Sequence, residues 1–159
     1  MLIGVISDTH NHLDCINKAI VEFNLRNVNL VLHCGDISLP KYAAEFSKLK
    51  CGFKAVFGNN DIYQADLENT ILRFGIIKRE PFSFKIQNKT FLLSHHLNAS
   101  SNDNAVYDYI LSGHTHQPRI IKTKTTVFLN PGEACGWRYG KKTAAIIDLD
   151  ANREEIFEL

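Results

Sequence analysis

Two histidines two positions apart, His114 and His116, follow a short apolar run and a glycine in the stretch ILSGHTHQPR, residues 110–119. Side chains alternate along an extended backbone, so the two imidazoles fall on one side of it. Paired imidazoles are the beginning of a metal site. Further donors close other apolar runs: Asp8 and His10 in ISDTH, Asp36 after LVLHCG, Asn59 in FGNND and His95 in LLSHH. Together these are seven oxygen and nitrogen donors and no sulfur. Oxygen with imidazole nitrogen suits Mn²⁺, Ni²⁺, Fe or Zn²⁺, and the lack of thiolate argues against a structural zinc knot. Seven donors exceed the needs of one tetrahedral ion. Two ions sharing a carboxylate would use them all and leave positions for water and substrate. Two dications against two carboxylates leave the site net positive, even with a bridging hydroxide, so it attracts a phosphoryl group. Paired ions about 3.5–4 Å apart suit in-line attack at phosphorus. They make hydroxide available near neutral pH and hold the charge that develops on the phosphoryl oxygens.

Donors so far apart in sequence need a fold that gathers them. LIGVISD, VNLVLHCGD and FKAVFGNND are three apolar, β-branched runs, each ending in carboxylate or amide residues. Between the first two, LDCINKAIVEFNLRN repeats Ile16, Ala19, Ile20 and Phe23 at helical spacing. Between the second and third, PKYAAEFSKLKCG opens on Pro40 and stops at Gly52, which predicts a second helix. Alternating strands and helices predict a parallel sheet, whose carboxyl-end loops share one edge. Asp8, Asp36 and Asn59 are therefore expected to meet. QADLENTILRFG predicts a third helix, stopped by Gly75. PFSFKI-QNK-TFLLSHH predicts a hairpin turning at Asn88-Lys89. VYDYILSG, RIIKT, TVFLN, KTAAIIDLD and REEIFEL read as further strands, mostly antiparallel. The expected fold class is α/β, two facing mixed β-sheets flanked by helices in a four-layer α-β-β-α sandwich. It is expected as a single domain over residues 1–159.

Composition limits the alternatives. A chain of 159 residues buries roughly two-thirds of its unfolded surface without staples. Lys plus Arg number 18 against 17 Asp plus Glu, so no basic field of the kind non-specific nucleic-acid binding needs is present. The four cysteines are scattered with no C-x-x-C pair, so neither a disulfide framework nor a thiolate zinc site is indicated, and reduced thiols fit a reducing compartment. MLIGVISDTH lacks the basic start and unbroken apolar core of a secretory leader. No apolar run approaches a membrane span. A cytoplasmic protein with no membrane partner is expected.

Asp8-Thr9-His10, Gly35-Asp36, Gly58-Asn59-Asn60-Asp61, His95 and Gly113-His114-Thr115-His116, in this order, resemble the motifs of the calcineurin-like metallophosphoesterases. The early DTH, the short chain and LNPGE at 129–133 look most like the small bacterial and archaeal phosphodiesterase branch. The resemblance implies a dinuclear phosphoesterase, a phosphodiesterase before a monoesterase, acting on a small phosphoester through metal-bound hydroxide. It implies one ion held by Asp8, His10, Asp36 and His116, and a second held by Asp36, Asn59, His95 and His114, with Asp36 as the bridge. Manganese is the first choice, with nickel, iron and zinc as alternatives. A homodimer is left open.

Two positions depart from the family pattern. Where many members carry a histidine credited with contacting the phosphate or protonating the leaving group, this chain has Asn60. An amide donates a hydrogen bond but has no proton to give, so substrates with acidic leaving groups, such as aryl phosphodiesters, are expected. The usual His-Gly is His95-His96; His96 either supplies the missing acid or caps its loop. The segment between His95 and Tyr107 is too short for the family's helix, and a loop bordering the pocket is expected there. Asp61 is expected to orient a ligand, and His33 to be a hydrogen-bonded, partly buried histidine. Asn130-Pro131-Gly132 reads as a tight turn under the site, and Trp137, Arg138 and Tyr139 as a loop at the substrate mouth, an exposed hairpin or a subunit contact. Against these stand plainer roles: Asp8 and Asp36 as helix caps, Asn59-Asn60 as a turn pair. A rival class is a scaffold on the same fold, like the retromer subunit that resembles this family. A nuclease is a third.

Overall fold

The computed structural model describes residues 1–97 and 106–159; the loop expected after His95 falls mostly on 98–105, outside the described residues. Strand β1 (Leu2–Ile6), helix α1 (Leu13–Leu25), β2 (Leu30–His33), helix α2 (Pro40–Ala43) with a 3-10 helix (Ala44–Lys48), β3 (Gly52–Val56), helix α3 (Gln64–Ile71) and β4 (Ile76–Lys78) follow in order. Then come β5 (Phe82–Ile86), β6 (Lys89–Leu93), β7 (Tyr109–Leu111), β8 (Arg119–Lys122), β9 (Val127–Asn130), β10 (Thr143–Asp148) and β11 (Arg153–Glu158). They form a six-stranded sheet ordered β11-β10-β1-β2-β3-β4 and a five-stranded sheet ordered β5-β6-β7-β9-β8. Two mixed sheets flanked by helices is the expected class, and the described helices all lie in connections of the six-stranded sheet.

Alternation along the strands builds the layers. Ile3, Val5, Leu30, Leu32 and Val56 of the first sheet share one core with Phe91, Leu93, Tyr109, Leu111 and Leu129 of the second. Their sequence neighbours Ile6, Val31, Phe53 and Ala55 face the other way and pack with Ile16, Ala19, Ile20 and Phe23 of α1. The helical spacing read in the sequence is thus the buried stripe of α1.

Several expectations are corrected. The second helix is a single turn that continues as 3-10; its buried residues Ala43 and Phe46, with Leu49 packed behind them, recur every three residues, the period of a 3-10 helix. A strand that the pattern did not reveal, β4, spans only Ile76–Lys78 at the sheet edge. The hairpin turns one residue earlier, at Gln87-Asn88, because Ile86 pairs with Lys89. Hairpins β5-β6 and β8-β9 are antiparallel as expected, whereas β6, β7 and β9 run parallel to each other. That last difference matters most: parallel strands deliver all their carboxyl ends to one edge.

Candidate metal centre

At that edge the loops after β1, β2 and β3 meet those after β6 and β7. Asp8 donates its backbone N–H to Gly35 O and His10 to Asp36 O, at 3.1 and 3.0 Å, tying the first loop to the second. Asp61 is buried and accepts from the amides of Asp36 (3.0 Å), Gly58 (2.7 Å) and Ser38 (2.6 Å), tying the second to the third. His33, fully buried, accepts from the Gly35 amide at Nδ1 (3.2 Å) and meets Thr9 Oγ1 at Nε2 (3.1 Å). Burial pushes its pKa down to about 3, so it is a neutral brace between loops. Asn130 donates to Gly113 O (2.7 Å) and Thr115 Oγ1 (3.1 Å), holding the loop of His114 and His116 from below.

Space and backbone are constrained together. A Cβ on Gly58 would run into the Asp36 side chain and amide, and one on Gly113 would run into Ser7 Oγ. Asp8, His10, Asp36, His114 and His116 have φ of 52°, 40°, 61°, 63° and 64°. Left-handed backbone costs a non-glycine residue about 1–2 kcal/mol, and such outliers gather at functional sites. The buried hydrogen-bonded braces offset that cost.

The side chains converge in two overlapping groups. In the first, Asp8 Oδ1 lies 3.3 Å from His116 Nε2 and 3.8 Å from His10 Nε2. Asp8 is fully buried and this oxygen has no hydrogen-bond partner among the described residues. Burial raises its pKa. In the second, Asn59 Oδ1 lies 3.0 Å from His95 Nε2 and 3.1 Å from His114 Nδ1. Asp36 stands between the groups, its Oδ2 3.6 Å from His10 Nε2 and 3.4 Å from His95 Nε2. Burial alone would raise the Asp36 pKa, but the hydrogen bond and charge of His95, with the donors of Asn60, hold it well below the usual carboxylate range. Burial disfavours charge on His95 too, yet Asp36 outweighs it and raises its pKa to about 9.

Two carboxylates, four imidazoles and an amide oxygen fit divalent ions. The orphaned Asp8 oxygen, flanked by ring nitrogens, is the observation that tests this, since an unpaired buried carboxylate oxygen costs free energy that a cation recovers. The far nitrogens are also fixed: His95 Nδ1 sits 2.8 Å from Cys34 O and His116 Nδ1 2.7 Å from Glu133 Oε2. Metal-binding imidazoles are oriented in this way. Asp8 and Asp36 do not cap helices; His12 and Leu39 stand at the N-cap positions of α1 and α2, neither with a side-chain cap hydrogen bond.

The two candidates for substrate chemistry are engaged within the protein. Asn60 donates its backbone N–H to Asp36 Oδ1 (2.8 Å) and its side-chain amide to Oδ2 (2.7 Å). His96 meets Glu80 Oε1 at Nδ1 (3.0 Å), and its ring lies against that of His114 with centroids 3.9 Å apart and planes tilted by 43°. Glu80 also accepts from the His95 and His96 amides and from Ser94. Glu80 and Glu133 were not singled out by sequence, because a lone glutamate carries no spacing signal. In the sequence LNPGE marks the branch and a tight turn, and its Glu133 is the buried partner of His116.

Residues 1–152 match the calcineurin-like phosphoesterase superfamily domain. The chain is 34% identical to phosphodiesterase MJ0936 of Methanocaldococcus jannaschii over 99% of this chain and all of that one. A solved structure of a novel archaeal phosphodiesterase superposes with a TM-score of 0.92 at 34% identity, covering both chains completely. Vps29 of Entamoeba histolytica shares the fold, with a TM-score of 0.71 at 20% identity over 100% of this chain and 99% of that one. The chain belongs to the calcineurin-like phosphoesterase superfamily.

Proposed function

We propose that this chain is a dinuclear metal-dependent phosphodiesterase acting on a small phosphoester. The single observation that carries the proposal is the position of Asp36 Oδ2, between His10 and His95 at 3.6 and 3.4 Å, one carboxylate facing two donor sets. Asp8, His10 and His116 with Asp36 would hold one ion, and Asn59, His95 and His114 with Asp36 the other. Two bound ions would make hydroxide available at neutral pH and stabilise charge on the phosphoryl oxygens. Manganese is the first candidate, with nickel, iron and zinc behind it. Asn60 keeps the shared carboxylate in place and, being an amide, gives no proton to a leaving group. Glu133 fixes His116, and Cys34 O fixes His95. Unless His96, whose Nδ1 faces Glu80, supplies the proton, nitrophenyl diesters should outpace alkyl diesters by orders of magnitude; similar rates would show that an acid is at work. The direct assay is hydrolysis of bis(p-nitrophenyl) phosphate by folded protein loaded with Mn²⁺ or Ni²⁺, and no turnover with any divalent metal would refute the function.

The fold shared with Vps29 keeps a second possibility in view, a protein-binding scaffold. Turnover separates them, since Vps29 of Entamoeba histolytica has itself been solved with zinc: an enzyme should hydrolyse bis(p-nitrophenyl) phosphate and lose that activity with its metal in Asp36→Asn, whereas a scaffold should turn nothing over.

A further inference from the structure

Trp137 is the sole tryptophan of the chain and is 65% exposed. Its indole lies parallel to the His10 imidazole, centroids 5.2 Å apart and planes 16° apart, and His10 stacks in turn on His116 at 5.3 Å and 20°. One face of the indole therefore covers a ring whose Nε2 points at Asp8 and Asp36, while much of its surface is open to water. The loop that presents it is held firmly. Buried Glu133 accepts from the amides of Arg138 (2.9 Å) and Tyr139 (2.6 Å), and Gln117 Nε2 donates to Tyr139 OH at 2.9 Å. Gly136 takes the left-handed φ of 71° that the turn needs. Exposure of a single apolar ring is ordinary; what distinguishes Trp137 is that a firmly held loop lays it on a ring of the donor cluster and leaves aromatic surface free to meet a ligand.

We propose that the open surface of Trp137 is a platform for a flat aromatic group of the substrate, so that the site selects phosphoesters bearing an aryl ring or a nucleobase. This rests on the phosphodiesterase function proposed above and names its substrate class. The phosphoryl group would sit among the donors around Asp36, and the ring of its ester would stack on the indole one imidazole away. Arg138, whose guanidinium lies 5.7 Å from the Tyr139 ring, adds positive charge to the same rim.

The test compares phenyl phosphate, methyl phosphate and thymidine 5′-phosphate as inhibitors of bis(p-nitrophenyl) phosphate hydrolysis in the Mn²⁺-loaded protein. Phenyl phosphate should bind about tenfold more tightly than methyl phosphate, the scale of one ring stacked on an aromatic side chain. Trp137→Ala should bring that ratio close to one, and Trp137→Phe should restore most of it. Thymidine 5′-phosphate binding more tightly than phenyl phosphate would assign the platform to nucleobases; equal binding would assign it to aromatic rings in general. If Trp137 served only to orient His10, the substitution would weaken all three inhibitors alike and leave the ratio intact, which would overturn the proposal. A second readout needs no variant: phenyl phosphate should shift the emission of the lone indole in metal-saturated wild-type protein, and methyl phosphate should not. An emission unmoved by saturating phenyl phosphate would also overturn it. Failure of the hydrolase function is separately visible, as absence of turnover with every metal while phenyl phosphate still perturbs the indole.

Discussion

The two halves of the centre are built differently. The half around Asp8, His10 and His116 is walled: Asp8 and His10 are buried, Trp137 covers His10, and buried Glu133 backs His116. The half around Asn59, His95 and His114 is open, because only His95 is buried while Asn59 and His114 are exposed. The charge differs as well. The walled half owns a carboxylate that burial leaves uncomfortable, whereas the open half has only a neutral amide oxygen and borrows Asp36. If two ions bind as proposed, the asymmetry predicts a firmly held one on the walled side and an exchangeable one on the open side, with Asp36 common to both.

The harshest way to break this comparison is to remove what the halves share. Asp36→Asn is expected to lower kcat/KM on the order of a thousandfold or more and to deplete both ions in elemental analysis. Retention of both ions with near-normal activity would dissolve the idea of a bridge. Glu133→Gln should sharpen it: metal affinity of the walled half falls about 10- to 100-fold, read by calorimetric titration, while the open half keeps its own. An equal loss in both halves would mean that Glu133 supports the loops and not His116. The open half has a pH signature. Asp36 raises the His95 pKa from 6.5 to about 9 in the metal-free protein, so an ion must displace a proton there at neutral pH. Affinity of the open half should climb with pH and level off near pH 9, and the proton should appear in titrations run in two buffers. The same shift makes His95 contribute stability that is complete below pH 6.5 and lost as pH rises through about 9; a metal-free melting temperature flat over that interval would count against the pairing. The smallest effect belongs to Glu80, which gathers the His95 and His96 amides with Ser94. Glu80→Gln should cost about 1–2 kcal/mol in chemical denaturation.

How far this centre was legible depends on what carries each residue. Asp8, Asp36 and Asn59 were placed together from the rhythm of strand and helix alone, since neighbouring parallel strands must end at one edge, and β1, β2 and β3 are neighbours. Their connecting helix α1 followed from the buried stripe of Ile16, Ala19, Ile20 and Phe23. The second sheet was harder. Its strands β7 and β9 run three and four residues, too short for alternation to reveal direction, and their parallel pairing is a property of the whole sheet. The left-handed backbone of Asp8, His10 and Asp36 was also hidden, because strain arises from loops packed against one another. The motif position of Asn60 suggests a substrate contact, and the structure adds what the sequence does not show, that its backbone N–H and one side-chain N–H reach Asp36; the third dimension decides which acceptor an amide meets. Glu80 lies fifteen residues before His95, and nothing in a linear pattern links them.

The central claim is that Asp36 serves two ions at once. Diffraction from crystals soaked in excess manganese, recorded near the metal's absorption edge, addresses it directly. Two anomalous peaks flanking the Asp36 carboxylate are expected, one beside Asp8, His10 and His116 and the other beside Asn59, His95 and His114, the second weaker after brief exposure to chelator. A single peak, or two that leave Asp36 outside bonding distance of either, would contradict it.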